Sequence, residues 1–302
     1  MNIFSKKINK LEGVCQCPGD KSISQRIVMI GSLMQSDIKV DNFLMGADPI
    51  STLQGMIDIG ASIEVDANNV FINNKNKNFK DPLSNIDLGN SGTGMRLMMG
   101  LISGLNLKAQ LNGDESLSKR PMLRVSDPLS ELGALVSTTN GTAPIHINGN
   151  QGIIDNWIYE MPIASDQIKS SLLLAALTAK KNITIVEGKY TRDHTERMIN
   201  FFGGRVDSIN KESKNYISLF LISLVLSTFY SCNKNKESLT FQSVFEDGGL
   251  FDDPMNISTK SVTVDTVVNG DSLWACSTQT FSIVQGLQEF PLFNPNSSVI
   301  YP

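Results

Sequence analysis

The chain has 302 residues, 41% hydrophobic and 19% charged, which excludes a disordered or fibrous protein and leaves room for two domains with a substantial core. A formal net charge of -4 argues against nucleic acid as a partner, although a local basic cluster stays open. Four cysteines are too few for a disulfide framework. Cys15 and Cys17 would share a strand face but sit too close for the usual zinc pair. All four are read as structural thiols, and no metal site is expected.

In chain order, residues 1–7 precede no long apolar stretch, so neither a signal nor a transit peptide is expected, and the cytoplasm is the expected compartment. Residues 1–17 read as one or two strands. Pro18-Gly19 then breaks the chain, and Asp20 or Ser22 can cap a helix whose apolar stripe is Ile23, Ile27, Val28, Met29 and Ile30. Lys21, Ser22 and Arg26 therefore lie in its first turns. Two cations, a hydroxyl and exposed N–H groups make an anion site there, and an ordinary capped helix with solvated charges fits this segment as well. A strand at 38–43 follows, then a helix opened by Asp48-Pro49 and ended at Gly60. Strands at 62–65 and 70–72 flank a turn. The Asn/Lys tract at 73–80 reads as a solvated loop.

A polar cap at 89–96 leads into apolar 97–102, a helix that ends near Gly104. A strand and turn at 109–114 come next, then a basic stretch, Ser118-Lys119-Arg120-Pro121, before another helix. His146 sits in an alternating strand and reads as a strand residue only. Ala164-Ser165-Asp166-Gln167 caps an apolar helix, followed by a strand at 183–186. Residues 190–197 open the next helix, with Thr191 at its start. His194 lies there with no nearby nucleophile, which argues against a general base. Strands at 205–209 and 215–219 close this part.

The same arrangement occurs three times. The caps at Ser22, Ser91 and Ser165 are 69 and 74 residues apart, and the helix-stop glycines Gly60, Gly133 and Gly203 are 73 and 70 apart. A fixed period of this length means one supersecondary unit used three times. After Leu219 the period fails. Residues 216–232 form an uncharged apolar run shorter than a spanning helix needs, so strand plus buried helix is favoured over a membrane span. Residues 240–302 look β-rich or irregular, with strand-like runs at 262–264, 267–268 and 281–284.

Residues 18–26, 89–97, 118–121, 164–171 and 191–197 resemble, in order and spacing, the 5-enolpyruvylshikimate-3-phosphate synthase family (3-phosphoshikimate 1-carboxyvinyltransferase). The resemblance covers roughly the first 215 residues. It implies an α/β (α+β) fold: an enolpyruvyl-transferase domain of three βαβαββ repeats at 18–218. Residues 1–17 would be a strand of the other domain. The second domain is missing or replaced by a divergent tail at 219–302.

The activity implied is transfer of the enolpyruvyl group of phosphoenolpyruvate to the 5-hydroxyl of shikimate 3-phosphate, on the route to chorismate and the aromatic amino acids. No cofactor, nucleic acid or membrane is implied, and a monomer is expected. Carried over by motif, Lys21 would contact both substrates, and Ser22, Arg26, Ser165, Gln167 and Arg192 would hold shikimate 3-phosphate. Asn90, Gly92, Arg120 and again Gln167 would hold phosphoenolpyruvate. Asp166 departs from the Ser or Ala common in the family and adds an acid near a phosphate.

The general acid and base belong to the family's second domain. Lys236-Glu237-Ser238 is the nearest fragment, and Asp265 and Asp271 have no motif around them, so no catalytic residue is assigned. Two other readings stay open. One is a phosphate-ligand-binding half-protein without turnover. The other, less favoured, is the sister transferase acting on UDP-N-acetylglucosamine. That family uses a cysteine in its first domain, whereas no cysteine lies between Cys17 and Cys232.

Overall fold

The computed structural model describes residues 11–220, 273–274 and 278–283. Strand β1 (Leu11–Gln16) precedes the Pro18-Gly19 break and helix α1 (Lys21–Gly31). Of the two candidate caps, Asp20 serves: its carboxylate accepts the Ile23 N–H at 2.8 Å, while Ser22 is inside the helix and buried. The apolar stripe buries Ile27, Val28, Met29 and Ile30 at 1% exposure or less. The first unit continues with β2 (Ile38–Asp41), α2 (Ala47–Asp58), β3 (Ile63–Asp66) and β4 (Asn69–Ile72).

The second unit runs β5 (Ile86–Asp87), α3 (Gly92–Gly104), β6 (Lys108–Asn112), α4 (Leu123–Glu131), β7 (Ala134–Thr139) and β8 (Thr142–Asn150). The third runs β9 (Trp157–Glu160), α5 (Asp166–Ala179), β10 (Ile183–Glu187), α6 (His194–Phe201), β11 (Arg205–Lys211) and β12 (Lys214–Phe220). The βαβαββ pattern expected from the period is present. Units two and three build sheets of the same order, β5-β6-β8-β7 and β9-β10-β12-β11, with the first pair parallel and the rest antiparallel. In the first unit the leading place, parallel to β2, is taken by β13 (Leu273–Trp274). β1 pairs antiparallel with β14 (Thr278–Ile283) and joins none of the three unit sheets.

The three helix-stop glycines have one physical reason. Gly60, Gly133 and Gly203 all have positive φ, +103°, +108° and +84°, a conformation that ends a helix and that a Cβ would strain.

The core sits between the sheets, where α1, α3 and α5 lie with their N-terminal turns side by side. Gln25 of α1 reaches Ser91 at the start of α3, and Ser171 of α5 donates to the Arg96 carbonyl of α3 at 2.7 Å. α3 and α5 approach closely because Gly100 and Gly104 present no side chain. A Cβ on Gly100 would lie 1.9 Å from the Ser171 carbonyl oxygen, and one on Gly104 2.2 Å from that of Ala175.

Two local expectations are corrected. The tract at 73–80 is not simply solvated: Asn74 is 5% exposed and donates to the carbonyls of Gly31 and Ser36, and Lys77 donates to that of Met34. These side chains donate to carbonyls at and just beyond the end of α1. Nor does Thr191 cap α6. Its hydroxyl donates to Glu187 at 2.7 Å, because a fully buried carboxylate needs donors. Asp193 occupies the cap position without a side-chain cap bond. Of the run at 216–232, residues 216–220 belong to β12, and the remainder lies outside the described residues. So do the strand-like runs at 262–264 and 267–268, and the candidates Lys236, Glu237, Asp265 and Asp271. Among the described residues no helix is long and apolar enough to cross a membrane, and no cluster of His, Cys, Asp and Glu could hold a metal ion.

Candidate anion-binding site

The adjoining N-terminal turns of α1, α3 and α5 carry most of the residues singled out from sequence. Ser91 caps α3, accepting from Gly94 N at 3.2 Å, and Ser165 caps α5, accepting from Ile168 N at 3.5 Å. The wholly buried Gln25 amide donates to Ser91 Oγ at 2.6 Å and Thr52 Oγ1 at 3.0 Å, which ties α1, α2 and α3 together beneath the helix ends.

One side of the site gathers around Gly92. Arg120 donates to the Asn90 side-chain oxygen and, at 3.5 Å, to its carbonyl. Asn90 in turn donates to Asp114 at 2.8 Å. Asp114 also accepts the Leu117 N–H at 2.7 Å, and these hydrogen bonds hold its carboxyl below the usual range. A Cβ on Gly92 would come within 3.0 Å of Arg120 Nη1 and 3.2 Å of Arg96 Nη1. The glycine therefore makes room for two guanidinium groups.

Arg96, absent from the sequence candidates, is 5% exposed. It donates to Gln167 Oε1 at 3.0 Å, to the Pro121 carbonyl at 3.1 Å and to the Gly92 carbonyl at 3.4 Å, while its Nε has no partner. Burial first, then the neighbouring charges of Arg124 and Arg120, lower its pKa to about 10. Arg124, also missed, donates to the same Gln167 oxygen at 3.2 Å, and the Gln167 amide donates to Thr93 at 3.1 Å. Arg96 lies inside the 89–97 motif, and Arg124 lies in the first turn of α4, four residues after the extended Arg120. Only their shared contact with Gln167 marks them.

The other side lies between α1, α5 and α6. Lys21 pairs with Asp48 at 3.2 Å and keeps 41% of its side chain exposed. Arg26 is not at the surface: it is 1% exposed. Its guanidinium donates to Thr195 Oγ1 at 2.8 Å, Ser170 Oγ at 3.1 Å, the Ser22 carbonyl at 3.2 Å and Asp166 at 3.4 Å. Burial lowers its pKa, and Asp166 is the largest opposing influence. Arg192 is exposed and donates to Ser22 Oγ at 3.4 Å. His194 has a buried, unpartnered Nδ1. Burial, followed by the charge of Arg26, holds its pKa below the usual imidazole value.

Behind these groups Lys169 pairs with Glu196 at 2.6 Å and Glu187 at 3.4 Å, all three buried. Burial still raises the Glu196 carboxyl above its ordinary value. A cavity of about 660 Å³ opens between α4 and the start of α5, lined among others by Arg124, Ser165, Asp166, Gln167, Thr191 and Arg192. A shallower depression of about 500 Å³ lies elsewhere, over β6 and β8 around His146.

Thus Lys21, Ser22 and Arg192 are brought to one flank, Asn90, Gly92 and Arg120 to the other, and Ser165 and Gln167 stand between them. Such a cradle of helix N-termini, guanidinium groups and hydroxyls suits polyanions. The family model for EPSP synthase (3-phosphoshikimate 1-carboxyvinyltransferase) matches residues 5–218. A 3-phosphoshikimate 1-carboxyvinyltransferase of Ruthia magnifica subsp. Calyptogena magnifica is 47% identical over 208 residues, 68% of this chain and 47% of that protein. One from Thermoanaerobacter sp. (strain X514) is 43% identical over 208 residues, 68% of this chain and 49% of that protein. The solved EPSP synthase of Acinetobacter baumannii superposes with a TM-score of 0.62 at 40% identity, covering 69% of this chain and 47% of that structure. The chain thus spans about half the length of the relatives it matches. With the motifs, the threefold repeat and the match over 5–218 in agreement, the chain belongs to the EPSP synthase family.

Proposed function

We propose that residues 18–218 form the substrate-binding half-site of an enolpyruvyl transferase. It takes shikimate 3-phosphate between Lys21, Ser22, Arg26, Ser165, Gln167 and Arg192. It takes phosphoenolpyruvate at Lys21, Asn90, Gly92, Arg120 and Gln167. The reaction it serves is enolpyruvyl transfer to the 5-hydroxyl of shikimate 3-phosphate with release of phosphate. The observation that carries this reading is the Gln167 cluster. Arg96, Arg120 and Arg124 gather around Gly92 and Gln167, and among the described residues none of the three has a carboxylate in ion-pair contact. Three guanidinium groups in mutual repulsion are completed by a bound dianion. The sister transferase acting on UDP-N-acetylglucosamine is disfavoured by the family match and by the names of the relatives.

The test is calorimetric titration of the purified chain with shikimate 3-phosphate, then with phosphoenolpyruvate in its presence. Binding that weakens as salt is added is expected, since charge-assisted contacts dominate. No heat at millimolar ligand and low salt overturns the proposal.

A further inference from the structure

We infer that Asp166 is a resident counter-ion in the shikimate 3-phosphate cavity, a specificity-determining residue whose carboxylate stands where a ligand's anionic group would bind and lowers affinity for phosphate-bearing ligands. The inference rests on the binding reading above.

The observations concern Arg26 and what neutralises it. Three of its four acceptors are neutral: the Thr195 and Ser170 hydroxyls, both buried, and the Ser22 carbonyl. Asp166 is its one carboxylate contact among the described residues, the longest of the four at 3.4 Å. It is also placed differently. Its side chain is 25% exposed, against 1% for Arg26, and it lines the cavity of about 660 Å³. Asp166 therefore stands between a buried guanidinium and the solvent through which a ligand arrives.

Its place on the helix adds to this. It is the first residue of α5, where the backbone N–H groups favour a negative charge. The Ser165 cap bond there is long, at 3.5 Å, so the helix end keeps unused capacity for an anion. A second cation on the same wall, Arg192, is held among the described residues by one 3.4 Å contact, to Ser22. Asp166 thus occupies the position where a buried cation, a loosely held cation and a helix N-terminus meet. Asp127 and Glu131 line the same cavity from α4, so an arriving phosphate meets carboxylates on two walls. Of these, Asp166 is the one paired to Arg26. A dianion must displace it or share the guanidinium with it, and either costs affinity.

The test compares wild type with Asp166→Ser, Asp166→Asn, Asp166→Glu and Asp127→Asn by calorimetry. The probes are shikimate 3-phosphate, inorganic phosphate and shikimate, which lacks the phosphate. Expected for Asp166→Ser and Asp166→Asn is about tenfold tighter binding of both phosphate-bearing probes, the size of one relieved charge contact at a partly solvated site. Shikimate should be little changed, and Asp166→Glu should stay near wild type.

Asp166→Ser leaves Arg26 without its carboxylate and could fold poorly. Asp166→Asn keeps the side-chain volume, and its thermal midpoint should rise more steeply with added phosphate than that of wild type. A wild type that binds shikimate 3-phosphate beside Asp166 variants that bind it no tighter overturns this inference and leaves the proposed function standing. So does an equal gain in Asp127→Asn, which would reduce the effect to general charge. If neither wild type nor any variant binds the phosphate-bearing probes, the proposed function fails and this inference falls with it.

Discussion

Arg120 and Lys21 show how differently two cations of one site are held. Arg120 is fastened to Asn90, which Asp114 holds in turn. Lys21 is a partly exposed ammonium with one ion pair among the described residues, to Asp48. In the proposed site Arg120 serves phosphoenolpyruvate alone, whereas Lys21 serves both ligands. Arg120→Ala is therefore expected to weaken phosphoenolpyruvate selectively, and Lys21→Ala to weaken both. Each loss is expected at about 1.5–3 kcal/mol, the size of a charge-assisted hydrogen bond. Calorimetry on the two variants decides it: equal losses for shikimate 3-phosphate would remove the distinction.

At the scale of elements, the site is as rigid as the packing of α3 against α5 and of α5 against β10 and α6. Alanine is ordinarily favoured over glycine within a helix by about 1 kcal/mol. At Gly100 the sign should reverse, because the new Cβ would meet a backbone oxygen at 1.9 Å. Gly100→Ala is expected to destabilise by about 1–3 kcal/mol, read from the midpoint of urea unfolding.

Lys169 binds α5 to Glu187 at the end of β10 and Glu196 on α6. Lys169→Met would leave two buried carboxylates without their cation, at a cost of about 3–5 kcal/mol. The pH dependence has a definite sign. The Glu196 carboxyl is raised by burial even beside Lys169, so the folded chain holds that proton more tightly than the unfolded one. Stability from this group grows as pH falls through the folded value and declines as pH rises from the unfolded value of 4.5. Without Lys169 the effect should be larger, so the deficit of Lys169→Met should shrink on acidification from pH 7 to pH 5. A deficit that stays constant over that range would show that Glu196 does not titrate with folding.

For the molecule as a whole, in the proposed reading, the three units present binding groups on one side of two polyanionic ligands. Enolpyruvyl transfer also needs a general acid, a general base and cations from the opposite side, and each positioned acid or base is worth roughly 10²–10⁴ in rate. The described residues include a Lys21–Asp48 pair at the site but no second half. In the proposed reading the described half-site accounts for binding alone, and a chain lacking the opposite side is expected to bind without efficient turnover. Phosphate release from phosphoenolpyruvate and shikimate 3-phosphate measures it. Turnover within tenfold of an ordinary enzyme's roughly 10 s⁻¹ would overturn the expectation.

The repeat, its helix stops and its motifs were legible in the sequence, because each rests on local chemistry. A capping residue, a positive-φ glycine and a 3.6-residue apolar stripe act over a few neighbours, and Gly60, Gly133 and Gly203 show the result. Proximity in space was decided elsewhere. The sequence places Arg26 only in the first turns of a helix, and contacts 140 to 169 residues away bury it. Arg96 and Arg124 stand out only because Gln167, 71 and 43 residues further on, accepts from both. Thr191 stands before α6 without capping it, because the buried Glu187 carboxylate that claims its hydroxyl becomes visible only once β10 is packed. Local sequence decides what a segment forms. Which charged groups leave water, and which partners compensate them, is decided by tertiary packing, because the cost of burying a charge is set by its whole surroundings.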